Sequence, residues 1–280
     1  MSNPVIPMVT LNNGVEIPQV GLGVFQTKEG ADVERAVHSA LEAGYRLIDT
    51  AAAYGNEAGV GKAIKASGLP REEIFITTKL WNANHAYDDA LRAFDESLAK
   101  LDCGYVDLYL IHWPLPMEGK FTQAWKALER LYASERVRAI GVSNFKPHHL
   151  EELLKGAETV PAVNQIELHP LFQQKATRAY CLEHGIVVES YSPLMRAGEA
   201  LEHPVITRLA QTYGKTPAQV ILRWHVQSGF IVIPKSVKPE RIRENLALFD
   251  FELSPNDMRA IEGMDREQRI GADPDTARFK

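Results

Sequence analysis

Eight short apolar runs recur along the chain, each followed by an amphipathic stretch, and that alternation limits the fold more than any other feature. The runs are VGLGVF (20–25), YRLIDT (45–50), IFITTK (74–79), YVDLYLIH (105–112), RAIGVSN (138–144), PAVNQIEL (161–168), IVVESYSP (186–193) and FIVIPKS (230–236). Their Val, Ile and Leu content suits strands covered on both faces, as in a parallel sheet. Between them, apolar residues repeat at helical spacing. Leu91, Phe94, Leu98 and Leu101 form one stripe, and Ala124, Leu128, Leu131 and Tyr132 another. Gly44, after Ala36, Val37, Ala40 and Leu41, reads as a helix C-cap. Eight such units favour an α/β fold closed into a (β/α)8 barrel. Ahead of the first unit, Asn13-Gly14 separates two extended segments, which predicts a hairpin within residues 1–18 that closes the lower mouth of the barrel.

No Pro/Ser-rich linker or charge block interrupts the 280 residues, so a single domain over 1–280 is expected, ending in a polar, mobile tail at 266–280. With 31 Lys and Arg against 36 Asp and Glu, the net charge of -5 argues against nucleic acid or an anionic membrane as partner. The N-terminus carries no basic, then apolar, leader pattern, and no run approaches the roughly 18 apolar residues of a membrane span. Two cysteines, Cys103 and Cys181, fit a reducing compartment better than a disulfide framework. A cytoplasmic monomer is expected.

An open doubly wound sheet that bound a dinucleotide would carry a glycine fingerprint after its first strand. Gly21-Leu22-Gly23 is followed by Val24-Phe25-Gln26, and Gly59-Val60-Gly61 by Lys62-Ala63-Ile64, so both lack the third glycine. A phosphate loop fails as well, because Ala63 follows Gly61-Lys62 and Asn56 stands where the first glycine belongs.

In a parallel barrel the chemistry gathers where the strands end. Asp49 ends the second run, Tyr54 follows in its loop, Lys79 ends the third and His112 closes the fourth. A phenol is a poor acid at neutral pH, and a nearby ammonium is expected to bring its pKa down. Lys79 supplies that ammonium, Asp49 keeps it charged against the cost of burial, and His112 orients a carbonyl or relays a proton.

The stretches GYRLIDTA (44–51), YGNE (54–57), TKLW (78–81), DLYLIHWP (107–114), GVSNF (141–145), NQ (164–165) and IPKS (233–236) resemble aldo-keto reductase motifs, in order, from about residue 7 to 265. The chain is most similar to the bacterial branch holding the 2,5-diketo-D-gluconic acid reductases, by way of PAVNQIELHP and GKTPAQVILRWH. The resemblance implies a catalytic tetrad of Asp49, Tyr54, Lys79 and His112, with Tyr54 as the acid. It also implies NADPH as cofactor. The nicotinamide carboxamide would meet Ser143, Asn144 and Gln165, and Tyr191 would stack on the ring, with Ser192, Leu194 and Val237 beside the cofactor. Lys235, Ser236 and Arg241 would grip the 2′-phosphate, with Glu244 and Asn245 near the adenine.

An amide needs both donors and acceptors to fix its rotation, and a guanidinium fork suits a phosphate. Lys235, Ser236, Lys238, Arg241 and Arg243 also cluster after the eighth run, where barrels commonly hold phosphate at a helix N-terminus. Phe25, Trp81 and Trp113 are placed to wall a substrate pocket, with Ala51 leaving space beside Tyr54. The expected reaction is NADPH-dependent reduction of small ketoaldehydes, aromatic aldehydes and keto-sugar acids such as 2,5-diketo-D-gluconate, with small-molecule carbonyls as the partners. A non-catalytic, nucleotide-sensing accessory barrel is the alternative. A metal-dependent hydrolase is disfavoured, since neither His-x-His at the first strand end nor His-Glu-x-x-His occurs, and no metal is expected.

Overall fold

A computed structural model describes residues 5–196 and 198–279, so the first four residues of the expected hairpin and Lys280 of the tail lie outside the described residues. Each apolar run contributes one strand. The chain runs β1 (Met8–Thr10), β2 (Glu16–Pro18), β3 (Leu22–Gly23), α1 (Ala31–Ala43), β4 (Leu47–Asp49), α2 (Glu57–Ala66), β5 (Phe75–Leu80), α3 (Tyr87–Leu101), β6 (Val106–Ile111) and α4 (Phe121–Ala133). It continues through β7 (Val137–Ser143), α5 (Pro147–Leu154), β8 (Val163–Glu167), α6 (Lys175–Glu183), β9 (Val187–Tyr191), α7 (Pro204–Tyr213), α8 (Pro217–Gln227), β10 (Ile231–Val232), α9 (Pro239–Leu246) and α10 (Pro255–Glu262).

Strands β3 to β10 form one parallel eight-stranded sheet in which neighbours in sequence are neighbours in space. The ends meet: Val20 bridges Val232 and Gly23 bridges Lys235, with Gly21 N–H donating to the Val232 carbonyl at 2.9 Å. The barrel is therefore closed. The two seam strands are shorter than their apolar runs, because Gly21, Gly23 and Pro234 interrupt regular pairing there. Two helices rather than one, α7 and α8, cross from β9 to β10.

The helices turn their predicted stripes inward, with Phe94 and Leu101 of α3 and Ala124, Leu128 and Leu131 of α4 fully covered. Gly44 ends α1 in the left-handed region at φ 105°, which a glycine adopts without a Cβ penalty. Gly61 has a different task, since a Cβ there would run into the Leu101 carbonyl at the end of α3. The glycine pair in α2 thus serves helix packing.

The lower mouth is filled as expected. β1 and β2 pair antiparallel, and Leu11 and Ile17 of this hairpin join Leu47, Phe75, Leu108 and Ile231 in a core cluster inside the barrel. Asn12 and Asn13 donate to the Pro161 and Arg138 carbonyls at 3.1 and 3.0 Å, fastening the hairpin to the barrel rim. Asp107, fully buried at the start of β6, holds Arg71 at 2.6 Å and Arg138 at 2.8 Å, a structural ion cluster well away from the strand C-termini. Among the described residues no helix is long and apolar enough to cross a membrane, and Cys103 and Cys181 are free thiols.

The tail does not run free. Its expected mobility rested on polarity, yet those polar groups find partners. Ile270 and Gly271 N–H each donate to buried Glu167 at 2.7 Å, and Lys146 reaches Asp273 and Asp275 at 2.6 and 2.7 Å. His149 Nδ1 accepts from the Lys146 amide at 3.1 Å, and His148 Nε2 lies within hydrogen-bond distance of Asp275, 2.8 Å away.

Candidate active site

Three strand ends and one loop bring Asp49, Lys79, His112 and Tyr54 together at the upper mouth. Asp49 is the last residue of β4, Lys79 the penultimate residue of β5, and His112 follows β6 directly. Tyr54 closes the one-turn 3-10 helix Ala52–Tyr54. The Lys79 ammonium is fully buried and lies 2.7 and 2.8 Å from the two Asp49 oxygens, 2.8 Å from the Thr50 carbonyl and 3.4 Å from the Tyr54 hydroxyl. His112 presents its ring edgewise to Tyr54, at 5.6 Å between centroids, and to Trp81, at 5.3 Å.

The electrostatics follow from burial. Desolvation works against the Lys79 charge, but Asp49, Tyr54 and Glu189 around it prevail and hold the ammonium above the ordinary lysine range. Burial likewise pushes the Asp49 carboxyl up, with Lys79 pulling it back. For Tyr54 the net direction is opposite to that expected. Burial raises the phenol, Lys79 lowers it, Asp49 and Glu189 raise it again, and the sum lies above the ordinary tyrosine value. Lys79 therefore offsets part of the desolvation and does not produce a low pKa. Burial, with Lys79 and His85, drives His112 well below the usual histidine value, so its ring is neutral. Its Nδ1 is buried and has no partner among the described residues.

Behind this group lies a polar wall. Ser143 ends β7 and gives its hydroxyl hydrogen to the backbone carbonyl of Gln165 at 2.8 Å. Asn144, in the left-handed region at φ 66°, donates to the His112 carbonyl and the Ser143 hydroxyl at 3.0 and 3.1 Å and accepts from the Tyr191 hydroxyl at 2.8 Å. Gln165 Nε2 reaches Asp49 at 2.7 Å and Glu189 at 3.1 Å. The Ser143 and Asn144 hydrogens are thus engaged internally and must be re-aimed to meet an outside carbonyl. Ser192 follows at φ 49°, and Leu194 packs half-buried against the core.

The basic cluster frames the other side of the mouth. Lys235 and Arg241 are exposed, and neither forms an ion pair among the described residues. Ser236 accepts from the Lys238 amide at 3.1 Å just before α9, Val237 is exposed and Asn245 buried. Glu244 accepts from the Thr216 hydroxyl at 2.8 Å, which ties α9 to the start of α8.

Of the expected pocket walls, Phe25 stands 5.0 Å from the Tyr54 ring, Trp81 lies against His112, and Trp113 follows His112 in the chain. Ala51 is corrected: it is fully buried, its carbonyl accepting from the Tyr54 amide at 3.0 Å, so it starts the turn that carries Tyr54 and offers no open wall. Three residues had escaped sequence reasoning. Phe279 returns from the tail to lie 4.9 Å from Trp113 and 6.3 Å from Trp81, and nothing local in the sequence announces it. Thr50 acts through its backbone. Glu189 was visible only as a lone charge inside an apolar run.

A parallel barrel with a buried Lys-Asp pair behind a tyrosine at its upper mouth defines a class of protein, and comparison with known proteins agrees. The Aldo/keto reductase family profile matches residues 19–266. The chain is 52% identical over 271 residues to a glyoxal reductase of Bacillus subtilis, covering 97% of each chain. It is 49% identical over 279 residues to the methylglyoxal reductase DkgA of Salmonella typhimurium, covering 98% of each. Among solved structures, a Gox0644 mutant in complex with NADPH aligns with a TM-score of 0.93 at 48% identity, covering 99% of this chain and 100% of that one. The chain belongs to the aldo/keto reductase family and is an oxidoreductase.

Proposed function

We propose that the protein reduces small aldehydes and ketoaldehydes with NADPH, Tyr54 giving the proton. One observation carries this reading: a fully buried ammonium, clamped by both oxygens of Asp49, is held 3.4 Å from a tyrosine hydroxyl at the mouth of the barrel. NADPH, when bound, supplies the hydride that adds to the carbonyl carbon. As the C=O π electrons move onto oxygen, the Tyr54 O–H bond breaks and its proton completes the alcohol, leaving phenolate that solvent reprotonates. A phenol raised by burial keeps its proton at neutral pH, and Lys79 stabilises the negative charge it leaves. Neutral His112 can donate a ring hydrogen to the carbonyl oxygen without adding charge.

The residues present fit NADPH. Gln165 keeps its side-chain carbonyl as an acceptor, Tyr191 offers an aromatic face, and Lys235 and Arg241 carry unpaired charge beside the N-terminus of α9, suited to a 2′-phosphate. Ser143, Asn144, Ser192, Leu194, Ser236, Val237, Glu244 and Asn245 complete the proposed binding surface. Phe25, Trp81, Trp113 and Phe279 crowd the entrance, which favours slim substrates. The relatives named for glyoxal and methylglyoxal support dicarbonyls as the first class to test, with aromatic aldehydes and 2,5-diketo-D-gluconate next. We place the protein in the cytoplasm as a monomer with no nucleic-acid or membrane partner.

The test is NADPH consumption, followed by absorbance, with glyoxal, methylglyoxal, an aromatic aldehyde, 2,5-diketo-D-gluconate and a bulky keto-steroid. Turnover of the small carbonyls supports the reading. Steroids as the best substrates would displace the wall residues, and no turnover of any carbonyl would overturn it.

A further inference from the structure

Along β9 side chains alternate between the two faces, so Val187, Glu189 and Tyr191 share one face and Val188 and Ser190 the other. Glu189 is fully buried, flanked in its strand by valine and serine. A carboxyl group in such a place needs hydrogen-bond partners to offset its desolvation. Among the described residues its one donor is Gln165, at 3.1 Å, and its second oxygen has none. Gln165 is its register partner on β8, and the same Gln165 nitrogen meets Asp49 across the barrel at 2.7 Å.

A primary amide has two hydrogens on nitrogen and a carbonyl oxygen with two lone pairs. With one hydrogen on Asp49 and the other on Glu189, both are engaged and the amide plane is fixed. The side-chain carbonyl of Gln165 must then face away from the two carboxyl groups, and it accepts from no described residue. It is left as a pure acceptor in the wall that also holds Ser143 and Asn144. We propose that Glu189 is a positioning residue, which locks the Gln165 amide so that its carbonyl oxygen accepts from the N–H2 of the nicotinamide carboxamide. This rests on the cofactor reading given above. Glu189 touches neither substrate nor cofactor; it acts through Gln165.

Removing the acceptor leaves one buried amide hydrogen unpaired and the amide free to turn. The test is the NADPH dissociation constant, read by quenching of tryptophan fluorescence, for the wild type, Glu189→Gln, Glu189→Met, Gln165→Met and the Gln165→Met/Glu189→Met double variant. Glu189→Met should weaken NADPH binding by about tenfold, the scale of one unsatisfied buried donor. Glu189→Gln, whose side-chain carbonyl still accepts from Gln165, should restore binding to within about twofold of wild type. In the Gln165→Met background, Glu189→Met should have no further effect, which a general loss of packing would not reproduce. Should Glu189→Met not fold, Glu189→Ala is read in the same way.

Three results would overturn the proposal: wild-type affinity in Glu189→Met, equal impairment in Glu189→Gln and Glu189→Met, or the same loss with and without Gln165. A wild type that does not bind NADPH overturns the cofactor reading and this one together. A wild type that binds, with Glu189→Met unaffected, counts against Glu189 alone.

Discussion

Lys79 Nζ lies 3.4 Å from the Tyr54 hydroxyl and 5.0 Å from the centre of its ring, so one ammonium faces both the phenol oxygen and the π system joined to it. Lys79→Met should therefore leave the fold intact and lower carbonyl reduction by about 10²-fold or more, since the phenol then rises further without its cation. Asp49→Asn should instead cost stability, about 3–5 kcal/mol, because it strands a buried ammonium. Kinetics and thermal denaturation of the two variants separate these effects. Equal stability loss in both would contradict the assignment.

Lys235 and Arg241 carry charge that no described residue neutralises. Arg241→Ala should raise the Michaelis constant for NADPH by about tenfold or more while leaving that for NADH nearly unchanged. Steady-state kinetics with both cofactors checks this, and equal use of NADH by the wild type would remove the phosphate reading.

Much of this arrangement was legible in the chain, for a definable reason. Barrel strands announce themselves as apolar runs, and the polar residues that close the runs fall at the strand C-termini, so Asp49, Lys79 and His112 could be placed together without any tertiary information. Quantities set by enclosure could not be read. The Lys79 ammonium was visible beside Tyr54, but the burial that outweighs it was not. Composition described the tail as polar and free, whereas its anchors, Glu167 and Lys146, stand more than a hundred residues away. Glu189 was hidden by the run it interrupts, because the segment reads as a strand whether or not one position is charged.

Burial, with Asp49 adding to it, pushes Glu189 from an ordinary 4.5 up to about 8, against the opposing pull of Gln165 and Lys79. The native state thus keeps Glu189 protonated through a range where the unfolded chain has lost that proton. Its stabilising contribution is fully present below about pH 4.5 and declines as pH rises toward 8. Glu189→Gln removes this dependence. The melting temperature of the wild type relative to Glu189→Gln should fall between those limits and level off above them; a difference independent of pH would show that Glu189 is ionised throughout.

Phe279 narrows the mouth between Trp81 and Trp113. Phe279→Ala should raise kcat/KM for bulky aromatic aldehydes by about tenfold, the scale of one apolar pocket contact, and change that for glyoxal much less. A uniform loss across substrates would mean that the tail supports the fold and does not shape the pocket.

The central claim is that Tyr54 gives the proton, and Tyr54→Phe tests it most directly, since the ring and its packing against Phe25 and His112 remain while the transferable hydrogen goes. NADPH affinity by fluorescence titration and methylglyoxal reduction should be measured on the same preparation. The account predicts wild-type NADPH binding with reduction lowered by about 10²-fold or more. Normal binding together with near wild-type reduction would contradict it and make His112 the donor.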